Sequence, residues 1–515
     1  MTKNYTTKTA SLRATKIDTR NLDVKKLSID GKNVLDYINE SETIIKDSRG
    51  DNITENDLWA TKVSKDENGK VVVEHSEIKL PDGDLTSLYG NITKIEDNKA
   101  YIGDDFYCNI QTDMIKNGEN FFTSFQNLKS FKSDLTTLSN ATGAFSIGAL
   151  ESFESNISSL TNTSNMFKYA SKLSSFKGKL LSIINGEYMF AFCSSLKEII
   201  DGPNNGYLSS LVNGDHMFFE SGLEYNEDVN PFGRLNSLEN AAHMFSCAKS
   251  LTNFHTEYSP VLTYIESMFN ECENIETVVM DAGNVVNGRN AFAFCHKLKN
   301  ISLYSLSKLV DGKSMFEECN NLERFDYRLH SLKNGNRMFL FCEKLSIFDV
   351  DCLKSLINGE LMMAYTPTKD FKYDLPFLEY GAQMFKNCTS LKSFTGALPS
   401  LISGFEMFRG CKLNKESILL IADGIKNLED SGHAIRNGNS WTYSEDEEMW
   451  RYKTDLFENC IVENCRGSLH ISYDSEGLSE SDIAEIYEYF QEIANKGWTL
   501  YVSDTDDNFT LINPN

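Results

Sequence analysis

The sequence predicts a β-rich solenoid of stacked coils, with short strands in each coil, a small β segment before the coils and an α/β cap after them. The main observation is a phrase that returns along the chain, Gly-x-x-Met-Phe-x-x-Cys-x-x-Leu, as in 186–196, 312–322 and 335–345. Its aromatic position, named the anchor here, recurs about every 24 residues, a period typical of solenoid proteins. The anchors are Phe122, Phe145, Phe167, Phe190, Phe218, Phe245, Phe269, Phe292, Phe316, Phe339, Met363, Phe385 and Phe408.

A coil of this length cannot bury a core by itself, but stacking places equivalent side chains in ladders that share one interior. We expect the anchor, the Cys three residues after it and the Leu six residues after it to form such ladders. The Gly four residues before the anchor suits a position that needs either a positive φ or a close approach to the next coil. Strand-like pieces such as 391–394 and 398–402 follow the Leu, and the longer intervals between Phe190 and Phe245 indicate small insertions.

Most of the 12 cysteines occupy the ladder position three residues after an anchor. Free Cys commonly behaves as a small buried apolar side chain, and we predict that role for them. One Cys in each coil does not supply the clustered ligands of a tetrahedral metal site. The ladder cysteines are Cys193, Cys272, Cys295, Cys319, Cys342, Cys388 and Cys411.

The spacing and the residue types of this phrase resemble those of BspA-like leucine-rich repeats, which occur in bacterial surface and gut-associated proteins. The resemblance covers roughly residues 118–428 and implies a leucine-rich-repeat solenoid. The copies depart from the pattern where Ala170, Ser221 or Thr366 stands in place of Cys and where Met363 is the anchor. These departures concern local regularity and leave the predicted architecture unchanged.

Residues 1–45 are predicted to be an anchoring and oligomerisation segment. Single apolar residues stand about five positions apart among Thr, Asp and Lys, which favours a narrow β-type wrap over an amphipathic helix. Such a segment buries little surface alone, so self-association is its expected route to stability. It resembles the N-terminal particle-anchoring segments of phage fibre proteins, and a flexible leader is the alternative. The residues predicted to attach the chain to a virion are Leu12, Ile17, Leu22, Leu27 and Ile29.

Three further segments complete the predicted organisation: a small β-rich connector at 46–117, the solenoid at 118–411 and the α/β cap at 412–515. In the connector, strands are expected near 70–74 and 99–102, and a degenerate first coil around 80–88.

Apolar stripes at helical spacing predict two helices in the cap, the second with Ser479 as its N-cap. Strands are expected at 469–473 and 498–502 on either side of the second helix. The predicted stripes are Ile418, Ile421, Ala422, Ile425 and Leu428, then Ile483, Ile486, Tyr487, Phe490 and Ile493.

The formal net charge of −24 argues against broad binding to nucleic acid, which requires a basic face to neutralise phosphate. It argues equally against docking on an anionic membrane. No stretch approaches the ~20 apolar residues of a membrane span. The first residues lack the apolar region of a secretory signal, so synthesis in a cytoplasm, with reduced thiols, is expected.

No catalytic, cofactor or metal set emerges from the motifs. Asp311-Gly312-Lys313-Ser314 resembles the end of a phosphate-binding loop but lacks its first glycine, because position 307 is Ser. Cys460 and Cys465 near His470 form only a weak metal pattern. The stretch 504–508 lacks the Gly and the Glu of a calcium loop, which leaves at most a weakly held cation.

Aromatic and polar residues vary at the positions next to the anchors, where a solenoid presents one long face to its partners. His216, His243 and His296 are expected on that coil surface. Phe192, Phe294 and Phe341 each stand two residues after an anchor. They are predicted either to form an aromatic binding stripe or to complete the interior, and the pattern leaves both open.

Together these features predict a non-enzymatic virion protein of a phage, a fibre attached to the head in preference to the tail. Its N-terminal segment binds other virion proteins, and its solenoid binds a host surface protein or glycan. A homo-oligomer is expected, with no nucleic-acid partner, no membrane insertion and no cofactor. The alternatives are a bacterial or protozoan BspA-like surface adhesin and a glycan-degrading enzyme built on a solenoid.

Overall fold

The fold was examined in a computed structural model that describes residues 89–110, 112–199, 208–224, 232–256, 258–350, 353–425, 467–476, 478–504 and 509–515. Elsewhere it describes the backbone of three hairpins. These are β1 (Ser28–Ile29) with β2 (Lys32–Asn33), β3 (Thr61–Lys65) with β4 (Val71–His75), and a hairpin near the C-terminus given below. The predicted attachment residues Leu12, Ile17, Leu22 and Leu27 lie outside the described residues, as does the degenerate coil at 80–88. Ile29 is described only as part of strand β1.

The described solenoid begins with an antiparallel meander of β5 (Lys94–Glu96), β6 (Lys99–Ile102) and β7 (Asp105–Asn109). A short 3-10 turn at Thr112–Met114 follows. Strand β5 pairs in parallel with the first coil strand, so that Ile95 lies opposite Phe131. The meander therefore covers the first coil and continues its sheet.

Most coils contribute one short strand, and where the strands of adjacent coils pair, they do so in parallel and in register. In the first three coils, Phe131, Phe153 and Phe176 lie opposite one another. The coil strands are β8 (Ser130–Lys132), β9 (Ser152–Glu154), β10 (Ser175–Lys177), β11 (Asn253–His255), β12 (Thr277–Val279), β13 (Asn300–Ser302), β14 (Arg324–Phe325), β15 (Ile347–Phe348), β16 (Asp370–Phe371) and β17 (Ser393–Phe394). The long anchor intervals contain residues 200–207 and 225–231, which lie outside the described residues.

Two ladders of rings fill the interior. Every anchor is fully buried, and neighbouring anchor rings stack with their planes nearly parallel; Phe292 and Phe316 have centroids 5.2 Å apart. The rings of the coil strands form a second ladder that meets the first edge to face, as Phe325 does between Phe316 and Phe339 at 5.5 and 4.8 Å. Stacked and edge-on pairs are the favoured aromatic geometries. The predicted anchor ladder is confirmed.

The repeat glycine serves close approach between coils, not a positive φ. A Cβ on Gly312 would lie 3.1 Å from the Met338 sulfur of the next coil, and one on Gly186 would lie 2.9 Å from the Met217 sulfur.

The residue just before each of these glycines, such as Asn185, forms a parallel bridge to its equivalent in the next coil. Asn213 shows the pattern, because its Nδ2 donates to Asn185 Oδ1 at 3.2 Å while its Oδ1 accepts from the amide of Asp215. This asparagine ladder was not predicted, although Asn-Gly recurs before Met-Phe in the sequence.

The cap closes the last coil. Strand β18 (Gly404–Leu413) leads into helix α1 (Lys415–Gly424), and the hairpin β19 (Asn439–Ser444) and β20 (Met449–Thr454) comes next. Then follow β21 (Ser468–Tyr473), α2 (Glu480–Asn495), β22 (Thr499–Ser503) and β23 (Thr510–Ile512). Strand β21 pairs in parallel with β18 on one side and with β22 on the other. The edge of the last coil is therefore paired, as a solenoid requires.

Both predicted cap helices are present, with one difference in the second stripe. Ser479 caps α2 through a reciprocal pair of hydrogen bonds with Asp482. Ile486, Phe490 and Ile493 are buried, but Tyr487 is 42% exposed. Its placement in the apolar stripe is wrong, because Tyr487 lies at the margin of the buried face. In α1, Ile418, Ile421 and Ala422 are buried; Leu428 lies outside the described residues.

Candidate binding face

The side chains closest to the anchors form one face of the solenoid. Residues two before and two after most anchors have a positive φ although they are not glycine, such as Tyr188 (52°) and Phe192 (63°) around Phe190. Their backbone amides, with that of the anchor, donate to carbonyls of the next coil: Tyr188 to Asp215 at 2.9 Å and Phe192 to Phe219 at 2.8 Å. A left-handed backbone is costly for residues with a Cβ, and these inter-coil bonds hold it. We name the positions three and two before and one and two after each anchor the turn face.

The structure places Phe192, Phe294 and Phe341 on the turn face, half-buried and outside the main core cluster. They do not adjoin one another. Between them the same position carries polar residues or cysteine: Glu220, Cys247, Glu271 and Glu318. The turn face therefore has separate aromatic islands, and no interior ladder at this position.

The largest island, named the aromatic cluster, surrounds Phe192. Tyr169 stacks on Phe192 at 4.7 Å, and Phe219 meets Phe192 edge to face at 5.2 Å. In the neighbouring column, Tyr188 stacks on His216 at 4.3 Å, and His216 on His243 at 4.3 Å. The cluster is the set Tyr169, Tyr188, Phe192, His216, Phe219 and His243. Its most accessible ring is Tyr169, which is 55% exposed.

Charged groups surround the aromatic cluster on the turn face. The Lys168 ammonium lies 3.9 Å from the centre of the Tyr188 ring, a cation–π distance. Asp215 Oδ1 lies 2.6 Å from His216 Nδ1. Burial raises the pKa of Glu187, and the neighbouring Asp215 carboxylate adds to the increase. Burial lowers the pKa of His243, and the adjacent His216 lowers it further.

A second island is apolar and packs independently of the core. Leu340, Leu361 and Ala364 are buried together beneath the partly exposed rings of Phe341 and Tyr365. The two rings have centroids 4.5 Å apart. Phe294 has a smaller environment, with His296 edge-on at 6.4 Å. The positions of His216, His243 and His296 on the coil surface agree with the prediction.

At its C-terminal end the turn face meets the cap. Glu406 accepts hydrogen bonds from Lys386 at 2.6 Å and from Arg409. Burial alone would raise the pKa of Glu406, but these two cations outweigh it and lower the pKa. His470 lies beside this group, only 8% exposed, and neither ring nitrogen has a hydrogen-bond partner among the described residues.

The ladder cysteines have a packing role with a polar component. Each Sγ donates to the carbonyl of an anchor in the preceding coil; Cys319 reaches Phe292 O at 3.1 Å and Cys342 reaches Phe316 O at 3.1 Å. Burial raises the pKa of both thiols far above the usual value. Within the described part of the chain, no three His, Cys, Asp or Glu side chains are grouped as a metal site. Cys460, Cys465 and 505–508 lie outside that part.

No helix among the described residues has the length and apolar content needed to cross a membrane. The residues of the turn face are held by the coil backbone. Most of its members were not predictable individually. The signal available was the position relative to the anchor, since a regular turn projects these side chains outward.

Two protein families match parts of the chain. Residues 239–361 match six copies of the BspA type leucine rich repeat region. Residues 136–258 and 177–280 match a family described as Mycoplasma protein of unknown function, DUF285. No curated protein has significant similarity to the sequence.

Solved structures with similarity include three bacterial proteins. One is a leucine-rich repeat protein from Eubacterium ventriosum (14% identity, 44% of this chain and 72% of that chain, TM-score 0.27). Another is a leucine-rich repeat protein from Bacteroides ovatus (20% identity, 67% and 88%, TM-score 0.27). The third is a leucine rich cell surface protein from Faecalibacterium prausnitzii (13% identity, 72% and 94%, TM-score 0.27). The repeated coil geometry and the family match show that this chain is a β-rich leucine-rich-repeat solenoid, in which residues 239–361 match BspA-type repeats.

Proposed function

We propose that this protein is a non-enzymatic adhesion protein that binds a partner through the turn face of its solenoid. One observation carries the proposal: the aromatic cluster presents partly exposed rings on a backbone fixed by hydrogen bonds between coils. Tyr169 is 55% exposed and stacks on Phe192, so its orientation is set before any partner arrives. Rigid aromatic side chains in such positions supply much of the binding energy of protein interfaces.

The surroundings of the aromatic cluster favour a partner that offers hydrogen-bond donors or cations. Glu187, Asp215 and the exposed Glu220 and Glu271 supply carboxylates, and the ammonium groups of Lys168 and Lys249 lie near them. The net charge of −24 adds a general repulsion of polyanions. A host surface protein or a glycan meets these requirements better than a nucleic acid does.

For the setting of this adhesion, we favour a phage fibre, attached to the head in preference to the tail. The N-terminal residues Leu12, Ile17, Leu22, Leu27 and Ile29 would attach it to the virion and join copies into a homo-oligomer. The support is the resemblance of this segment to particle-anchoring segments of phage fibres. In that setting the chain is made in the host cytoplasm and ends in the virion.

A second setting, a bacterial surface adhesin, is favoured by the match of residues 239–361 to BspA-type repeats. Mass spectrometry separates the two settings. The fibre proposal expects the chain in purified virions and in stoichiometric amounts; recovery only from a bacterial envelope fraction would replace it with the adhesin.

The binding role is tested with the full-length chain and a matched pair of variants. The double variant Tyr169→Ala, Phe192→Ala removes two rings of the aromatic cluster. The control, Tyr304→Ala, removes a ring that is 64% exposed and also has a positive φ, but lies away from the turn face. Fluorescently labelled protein is titrated onto a panel of intact bacteria and onto immobilised glycans. We expect at least a tenfold loss for the double variant and none for the control; equal binding by all three proteins contradicts the proposed site.

A further inference from the structure

A polar groove runs along the solenoid over its first three coils, on a different face from the aromatic cluster. Its volume is about 840 Å³, within the range of ligand sites in proteins. Every residue that lines it is polar, charged or glycine, and the meander contributes Asp97 and Asn98 at one end. The first and third coils lie about 10 Å apart, at two strand spacings, so the groove is elongated along the axis.

The groove exists because one column of the solenoid changes size along the chain. The column stands two residues after the apolar residue of each coil strand that lies in register with Phe131. In the first three coils it holds small residues, which form the floor: Ser133, Ser155 and Gly178. In four later coils it holds larger, buried side chains that pack on the core, Met280, Leu303, Val350 and Tyr373, whereas Thr256 and Gly396 keep it small in two others.

The walls are the exposed side chains on either side of the floor. One wall alternates between hydrogen-bond donors and an acceptor, and the other runs from a carboxylate through an amide to an ammonium group. Lys177 Nζ lies 3.8 Å from Glu154 across adjacent coils. Four carboxylates and three lysines line the groove, so their charges nearly cancel. The wall residues are Lys132, Glu154 and Lys177 on one side and Asp134, Asn156 and Lys179 on the other.

The floor has one buried polar group without a partner. Ser155 Oγ, in the middle coil, has no hydrogen-bond partner among the described residues. Ser133 differs, because its hydroxyl lies 2.8 Å from Thr112 Oγ1 and accepts from the amide of Asn98 at 2.9 Å. Buried hydroxyls are normally satisfied. Thr256 Oγ1, in the same column of a later coil and outside the groove, likewise lacks a partner in the described part of the chain, so the polar lining of the groove, and not Ser155 alone, indicates a ligand.

We propose that this groove binds a linear, neutral oligosaccharide. A hydroxyl both donates and accepts, so a chain of hydroxyls matches walls that mix carboxylates, an amide and ammonium groups. A polyanion would meet the four carboxylates and a polycation the three lysines. A peptide strand has no edge to join, because the backbones of Phe131, Phe153 and Phe176 are already paired between coils. The inference concerns a site separate from the turn face and goes beyond the proposed function.

The experiment uses the full-length chain and isothermal titration calorimetry with six tetrasaccharide probes. Four are neutral and linear (cellotetraose, maltotetraose, mannotetraose and xylotetraose), one is anionic (tetragalacturonate) and one cationic (the tetramer of chitosan). Asp134→Ala removes a wall carboxylate, and Ser155→Tyr fills the floor with the residue that the chain itself has at Tyr373. Asp374→Ala is the matched control, because Asp374 is exposed in the same column as Asp134 in a later coil.

We expect at least one neutral probe to bind, and both groove variants to weaken that binding at least tenfold while Asp374→Ala leaves it unchanged. Three results overturn the proposal: no neutral probe binds, only a charged probe binds, or binding survives both groove variants. Asp134→Ala keeps the test decisive if Ser155→Tyr does not fold, because Asp134 is exposed. The Tyr169→Ala, Phe192→Ala protein should bind the probe like the wild type, which separates this site from the turn face.

Discussion

His470 should make the stability of the cap depend on pH. Its ring lies among Phe405, Tyr501 and Phe509, at centroid distances of 5.0, 4.5 and 5.3 Å. Burial lowers the pKa of His470 to about 4; the Glu406 carboxylate opposes this shift, and the cations Arg409 and Lys386 add to it. An unfolded histidine has a pKa of about 6.5. Between these values the unfolded chain binds more protons than the folded chain.

The sign and size of the effect follow from that difference. The stabilising contribution of neutral His470 is complete above pH 6.5 and is lost as the pH falls towards 4, since protonation favours the unfolded chain. Each tenfold difference in proton affinity corresponds to about 1.4 kcal/mol, so the loss is about 3 kcal/mol. Removing the two unpartnered nitrogens should also stabilise the cap at pH 7 by about 1 kcal/mol.

Two variants separate the titration from the missing hydrogen bonds. His470→Gln removes the titration and keeps polar atoms, whereas His470→Leu removes both. Urea unfolding of the three proteins at pH 7 and pH 4, followed by circular dichroism, gives the difference between wild type and variant at each pH, which cancels the other titrating groups. Between pH 7 and pH 4, we expect each variant to lose about 3 kcal/mol less stability than the wild type. Only His470→Leu should be more stable than the wild type at pH 7. If His470→Gln loses as much stability as the wild type, the reasoning is refuted.

Three other predictions follow from the ladders and the cap. Phe316→Ala removes a fully buried ring that stacks on both neighbouring anchors. The free energy of unfolding in urea should fall by about 3–5 kcal/mol; a decrease below about 1 kcal/mol would contradict the ladder. Cys319 should resist alkylation by iodoacetamide in the native protein at pH 8.5, because burial holds the pKa of its thiol far above the usual value. Peptide mass spectrometry measures the alkylation; modification at the rate seen in urea would contradict the burial of Cys319. Ser479→Ala breaks the capping pair with Asp482 and should lower the free energy of unfolding by about 1 kcal/mol. Ser479→Asp should retain most of the stability; equal losses in both variants would argue against the cap.

The repeat period allowed the anchor ladder, the ladder cysteines and the coil strands to be predicted from sequence. The reason is physical: a coil of about 24 residues has only a few positions that face the interior, so residues such as Phe316 and Cys319 must recur in register. The cap helices were predicted from local signals, their apolar stripes and the N-cap Ser479. The exposure of Tyr487 was not predictable, because it depends on how far α2 is covered by its neighbours.

The candidate sites depend on contacts between coils and were predicted only in part. The positions of Phe192, Phe294 and Phe341 next to anchors indicated a surface. The sequence did not reveal that Tyr169 stacks on Phe192, because the two residues belong to different coils. The groove was not predicted either, since its floor becomes visible only when Ser155 is aligned with Tyr373 along the axis.

The sequence by itself determined that the chain is a solenoid and which columns face the interior. These properties repeat with a fixed period, and each depends on residue type alone. Only the tertiary structure decided which outward columns become sites, because exposure, ring stacking and the missing partner of Ser155 depend on distances between successive coils. The repeat therefore defines the scaffold, and the variation between coils, read at a common register, defines the candidate binding surfaces.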